Sequence, residues 1–193
     1  MTHHVGDLTI TDMNIKYAKT LTSVGGGLDI RAECELPALT SVGEGLYIQA
    51  ECELPALTSV GEWLDIQAEC ELPVLTSVGG GLCIWSECEL PMLTSVGGGL
   101  DICAECELPA LTSVGEWLDI QAECELPTLA SAYGVPGKLI AVSEYGLWKS
   151  NDGLYYAGCR QELTLDQAIN HWIDRTDKRA LKFIGAILAN LNE

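Results

Sequence analysis

Basic residues are almost missing from the middle of this chain. Its 193 residues hold 10 Lys and Arg against 28 Asp and Glu. Between Leu21 and Thr128 the only base is Arg31, against nineteen acids, so this stretch has a net charge of −18. The flanks are balanced, with two acids and two bases before it and seven of each after it. A block this poor in Lys and Arg excludes direct nucleic-acid binding, which needs cations to meet phosphates. Long apolar runs are absent too, so no transmembrane helix and no membrane partner are expected. The start, MTHHVGDLTITDMN, lacks the basic and apolar segments of a signal peptide, and the expected location is the cytoplasm. There is no GxxxxGK[ST] phosphate loop, and the repeats hold no Asp/Asn-Gly calcium loop. Global disorder is excluded by a content of 48% hydrophobic residues, enough for a core.

What fills the middle is repetition. Six copies of an 18-residue unit, beginning LTSVGGGLDIRAECELPA, run without insertion from Leu21 to Thr128. A strict fixed period is the mark of a solenoid, in which each repeat is a coil that buries its apolar face against its neighbours. Leu28, Ile30, Ala32, Cys34 and Leu36 alternate with Asp29, Arg31, Glu33 and Glu35. That period of two reads as one extended strand, apolar inside and polar outside. Gly25-Gly26-Gly27 is expected to form a corner through its backbone freedom, and Pro37 marks another bend. Leu39 and Val42 then point inward again. The fold class is mainly β: a parallel β-solenoid of about seven coils with a small ββαα cap at the C-terminus.

Three regions follow. Residues 1–20 form an N-terminal capping coil, with Val5, Leu8, Ile10, Met13 and Ile15 as its apolar positions and His3 and His4 in a frayed end. Residues 21–128 form the acidic solenoid. Residues 129–193 form the cap: KLIAVSEYGLWKS and GLYYAGCRQ are two strands around Asn151-Asp152-Gly153, followed by two helices. Thr164 and Gln167 read as a capping box opening the first helix, and a second amphipathic helix carries Leu181, Ile184, Ile187, Leu188 and Leu191. A homodimer through this cap is a possible second use.

The nine cysteines do not read as a disulfide framework. Cys34, Cys52, Cys70, Cys88, Cys106 and Cys124 recur at one repeat position, as buried small hydrophobes would, and are expected to be inert. Cys83 and Cys103 fall on the outer face. Cys103 and Cys106 make a CxxC, but a strand aims them to opposite sides, which excludes a shared zinc ion. No metal and no cofactor are expected. Cys159, His171 and Asp174 are the one grouping of nucleophile, base and acid, and they read as packing and helix-surface residues rather than as a cysteine hydrolase. The chain reads as no enzyme.

The regular constellation is acidic. Glu33, Glu51, Glu69, Glu87, Glu105 and Glu123 form one outward ladder, and Glu35, Glu53, Glu71, Glu89, Glu107 and Glu125 a second on the same strand. Asp29, Asp65, Asp101 and Asp119 add a third, interrupted by Tyr47 and Cys83; Glu44, Glu62 and Glu116 lie at the glycine corner. Like charges facing each other across neighbouring strands destabilise a sheet. A face built for solubility alone would mix both signs. Six coils span roughly 29 Å at strand spacing. Eighteen net charges along it give about one per 1.6 Å, close to the roughly 1.7 Å of duplex DNA. The expected partner is therefore a basic protein surface, bound by nucleic-acid mimicry. Two readings stay open beside it: a passive structural or adhesion scaffold whose glutamates multiplied with the repeat, and a hard-cation site.

The wording LPxLTSVGGxLxI resembles the leucine-rich-repeat-like coils of receptor L-domain and BspA-type proteins, in versions associated with phage and prophage proteins. The resemblance covers residues 21–128. It implies a solenoid, and for a phage protein it implies a host-defence complex as the target: an anti-CRISPR or anti-restriction inhibitor in the host cytoplasm.

Overall fold

The computed structural model describes residues 2–122, 124–143, 145–158 and 160–191. The chain is a parallel β-solenoid, and each coil has three short strands rather than one long one. In the second repeat these are Ser41–Val42, Leu46–Ile48 and Cys52–Glu53. Stacked in register, equivalent strands give a leucine–isoleucine sheet of seven strands, a cysteine–glutamate sheet of six, and a serine–valine sheet that belongs to a twelve-stranded whole. Inward residues of one repeat pair with the same residue of the next: Leu64 with Leu82, Cys70 with Cys88, Val78 with Val96.

The core consists of ladders of one residue type. Leu46, Ile48, Leu54, Leu57 and Val60 are buried with their equivalents through the stack, and the last rungs of two ladders, Leu126 and Leu129, are partly buried. Fully burying each such side chain is worth about 1.5–3 kcal/mol, which offsets the ordering of short strands that could not stand alone. At the proline bend Leu57 donates its backbone N–H to Leu54 at 3.1 Å, closing the turn around Pro55. A threonine ladder adds side-chain bonds between coils. The hydroxyl of Thr58 donates to the carbonyl of Thr40 at 3.0 Å, and Thr76 donates to Thr58 at 2.9 Å.

Two expectations about the coil are corrected. The strand from Leu28 to Leu36 is broken by a bend at Ala32, giving separate strands Leu28–Ile30 and Cys34–Glu35. A closed coil of 18 residues must turn there, and Ala32 keeps the alternation in phase through the corner because its small side chain still packs inside. The repeat glycines are also not used for special backbone angles. Positive φ in glycine occurs, among the described residues, only at Gly6, Gly134, Gly153 and Gly158. The repeat glycines instead permit contact between coils. A Cβ on Gly61 would collide with the carbonyl oxygen of Gly43, and one on Gly79 with that of Gly61.

The N-terminal coil continues two sheets through Thr2–His4 and Leu8–Ile10. A four-residue helix, α1 (Ile15–Ala18), stands where the third strand would be. Ile10 is buried and Leu8 and Ile15 pack on the core, whereas Val5 and Met13 are exposed. His3 and His4 are not frayed: the His3 ring meets the Ser23 hydroxyl at 2.7 Å, and His4 meets the Asp7 carbonyl at 2.9 Å.

At the other end Tyr133 and Gly134, at φ 56° and 70°, make a tight reversal. The chain then forms a meander of four antiparallel strands, Val135–Ser143, Tyr145–Ser150, Tyr155–Ala157 and Arg160–Leu163, rather than the two expected. The turn at Asn151–Gly153 joins the middle pair. Helices α2 (Leu165–Trp172) and α3 (Lys178–Ala189) pack on this meander through a second core containing Leu147, Tyr155, Trp172, Phe183 and Ile187. The capping box is formed, with Thr164 and Gln167 each accepting a backbone N–H from the other. No helix among the described residues is long and apolar enough to cross a membrane.

Candidate functional site

The bend at Ala32 decides where the acids go. In each repeat the aspartate row lies on the leucine–isoleucine sheet, while both glutamate rows flank the cysteine on the next sheet. The three ladders therefore do not form one flat face. The Glu33, Glu51, Glu69, Glu87 and Glu105 row and the Glu35, Glu53, Glu71, Glu89, Glu107 and Glu125 row are the two exposed walls of one groove. Glu123 lies outside the described residues. The groove has a volume of about 1310 Å³, and the cysteine ladder from Cys34 to Cys124 forms its floor. Neighbouring acids are in register, as in the pairing of Glu71 with Glu53 and Glu89.

The groove is closed at one end by α1. Lys16 and Lys19 line it there, and the Lys19 Nζ lies 4.0 Å from a Glu35 carboxylate oxygen. Both side chains are more than half exposed, so this pair contributes little to stability. Repeats two to six contain no Lys or Arg. The charge arithmetic changes accordingly. Twelve glutamates along roughly 29 Å give about one carboxylate per 2.4 Å at strand spacing. That lies between the roughly 3.4 Å of one DNA strand and the roughly 1.7 Å of the duplex.

The cysteine floor is chemically quiet in the middle of the stack. Burial pushes the Cys52 and Cys88 thiols up to about 12, and Cys34, nearer the end, up to about 11. Cys52, Cys70, Cys88 and Cys106 are buried, while Cys34 and Cys124 are half-buried at the ends of the ladder. Cys103 and Cys106 lie on different sides of a corner. Among the described residues, no group of three or more His, Cys, Asp or Glu converges as metal ligands would. Of the grouping in the cap, Cys159 lies outside the described residues. His171 packs its ring edge-on against Trp172 at 5.0 Å, and Asp174 is exposed.

Asp29, Asp65, Asp101 and Asp119 are half-buried, not freely exposed. Asp29 is held by Arg31, whose Nη2 lies 2.6 Å from its Oδ2. Asp65 accepts from Gln67 Nε2 at 3.0 Å, and Asp101 from the Cys103 thiol at 3.3 Å. Beside this row stands a feature that the search for charge and nucleophiles missed. The last residue of the glycine corner is Gly27, Gly45, Trp63, Gly81, Gly99 and Trp117 in successive coils. The Trp63 ring lies over Gly81, the Trp117 ring lies over Gly99, and the two meet with centroids 6.4 Å apart. Trp63 and Trp117 remain 40% and 39% exposed, and Trp85 and Tyr47 on the same sheet 54% and 42%. The signal was a tryptophan recurring every third coil in a row of glycines. Compared with protein-family models, with curated proteins and with solved structures, the chain matches none.

Proposed function

We propose that this is a non-enzymatic acidic repeat protein that binds and inhibits a basic, nucleic-acid-handling partner by presenting its glutamate ladders in place of phosphates. The observation that carries this reading is the groove itself: two in-register carboxylate rows, closed by Lys16 and Lys19 at one end only. Facing like charges cost stability at the coil boundaries, and the middle coils contain no Lys or Arg to relieve them. A basic surface laid along the groove would. The resemblance of the repeat wording to phage-type leucine-rich-repeat-like coils points us to a host-defence complex, of the CRISPR or restriction kind, in the cytoplasm. In the cap, exposed Ile173, Leu181 and Leu188 offer a surface for a homodimer that leaves the groove open.

A passive scaffold or adhesion module is the second reading, favoured by the near-identity of the coils, since duplication alone would copy the glutamates. The test changes Glu51, Glu53, Glu69, Glu71, Glu87 and Glu89 to Gln, which keeps shape and removes six charges. Capture from bacterial lysate at low and high salt identifies the partner, and titration then measures its affinity. The Gln variant is expected to fold at least as stably, most visibly at low salt. Its affinity and salt dependence should both fall, because fewer ion pairs form. Unchanged partner binding by the folded variant rules out mimicry and leaves the scaffold.

A further inference from the structure

Past its first repeat, the outer face of the leucine–isoleucine sheet combines open aromatic rings and half-buried carboxylates with no base. Its first coil already shows what a cation does there. Arg31 lies along the sheet with Nε 2.7 Å from Asp29 Oδ2 and Nη2 at 2.6 Å, so both its donors meet one carboxylate oxygen. In later coils the residue at the Arg31 position is Gln49, Gln67, Trp85, Cys103 or Gln121, and the guanidinium is not supplied again. At Asp65, Oδ2 accepts from Gln67 Nε2 and Oδ1 is buried, as Oδ1 of Asp29 also is beside Arg31. A half-buried carboxylate gains from a nearby cation through its exposed oxygen, as Asp29 does from Arg31.

The rings set the kind of cation. Trp63 and Trp117 are pressed against glycine backbone on one side, which fixes them, and are open on the other. A planar guanidinium stacks on such a face, whereas an ammonium meets it only as a point charge. The rings also set a spacing. Their centroids are 6.4 Å apart, and alternate residues of an extended strand are about 6.7 Å apart on one side. A strand carrying Arg-x-Arg thus places one guanidinium over each ring.

We propose that this sheet, over coils two to six, is a docking face for an extended arginine-bearing segment of the partner, with guanidinium groups stacked on Trp63, Trp117 and Trp85 and paired with Asp65 and Asp101. The inference rests on the proposed function in one respect, that the partner is basic; it uses a different face and selects arginine over lysine.

The test titrates the full chain with two synthetic peptides, (Arg-Ser)4 and (Lys-Ser)4, following tryptophan fluorescence and heat. The arginine peptide is expected to bind roughly tenfold tighter, the effect of two moderate cation–π contacts. In Trp63→Leu/Trp117→Leu this ratio should fall towards one. Trp85→Ser, at an exposed position, and Trp63→Tyr read the same ratio if the double variant does not fold, the first lowering it and the second preserving most of it. The six-glutamate variant should leave the ratio intact, so failure of the groove reading and failure of this one are distinguishable. Equal binding of the two peptides, or an unchanged ratio in a folded tryptophan variant, overturns the proposal. So does tryptophan quenching by a neutral oligosaccharide such as cellohexaose that the arginine peptide cannot displace, since the rings would then be a sugar platform.

Discussion

The Cys106 thiol donates to the Cys124 sulfur across 3.5 Å, linking the last two rungs of the cysteine ladder. Donation holds the proton on Cys106 and pushes its titration up, while accepting it lowers the titration of Cys124. Cys124 is also half-buried where Cys106 is buried. Six chemically identical residues in the sequence therefore differ in reactivity by position alone. The thiolate is the reactive form, so native-state alkylation at pH 7.5, read by peptide mass spectrometry, should modify Cys124 first among the described cysteines. Cys83 and Cys103, the outer-face pair, should react later. Both are pushed up by burial and nearby carboxylates, Cys103 to about 12. Faster labelling of Cys70 than of Cys124 would contradict the arrangement.

The remaining thiols make the fold sensitive to alkali. Folded values of about 11 for Cys34 and about 12 for Cys52 and Cys88 lie above the ordinary thiol value of 9.0. The unfolded chain then releases its thiol protons first. The stability these groups contribute is complete below about 9 and is lost as the pH rises through their folded values. Tyr155 and Tyr156, raised by burial, act in the same direction. Urea midpoints measured by circular dichroism should be level from pH 7 to 8.5 and decline from pH 9 to 11. Replacing Cys52, Cys70 and Cys88 by Ala should make that decline shallower.

Close approach between coils predicts a contrast between two glycines. At Gly79 a Cβ would meet the Gly61 carbonyl, backbone that cannot rotate away. Gly79→Ala should cost roughly 1–3 kcal/mol, as overpacking does, with a lower thermal midpoint. Gly185 sits within α3 with nothing near its Cβ position. Gly185→Ala should instead gain about 0.5–1 kcal/mol. Equal effects at the two sites would show that the coils can separate without cost.

The inner ladders were legible in the sequence because burial on one face imposes the alternation of Leu28, Ile30, Leu36, Leu39 and Val42. The corner at Ala32 was not, since an inward alanine keeps the period of two whether the backbone runs straight or bends. That single ambiguity moved the aspartates onto a different face from the glutamates. The repeat glycines suggested a corner for the wrong reason: conformational freedom is a property of one residue, whereas the contact with the preceding carbonyl exists only once coils are stacked. Trp63 and Trp117 are 54 positions apart in the sequence. Their meeting depends on each ring leaning over a neighbouring glycine, which no local pattern announces.

The reversal at Tyr133 and Gly134 has a consequence for assembly. A pile of near-identical parallel coils has no intrinsic last member, because the top of each rung matches the bottom of the next. Left bare, the Ser131–Ala132 strand would be a template for the first coil of another molecule, and growth would continue into a fibre. Instead the two-residue turn folds Val135–Ser143 back antiparallel on that strand, and Tyr145–Ser150 packs across Leu118–Ile120. The same residues that end the coil pattern thus set a finite length, and with it the number of carboxylates that any one molecule can offer.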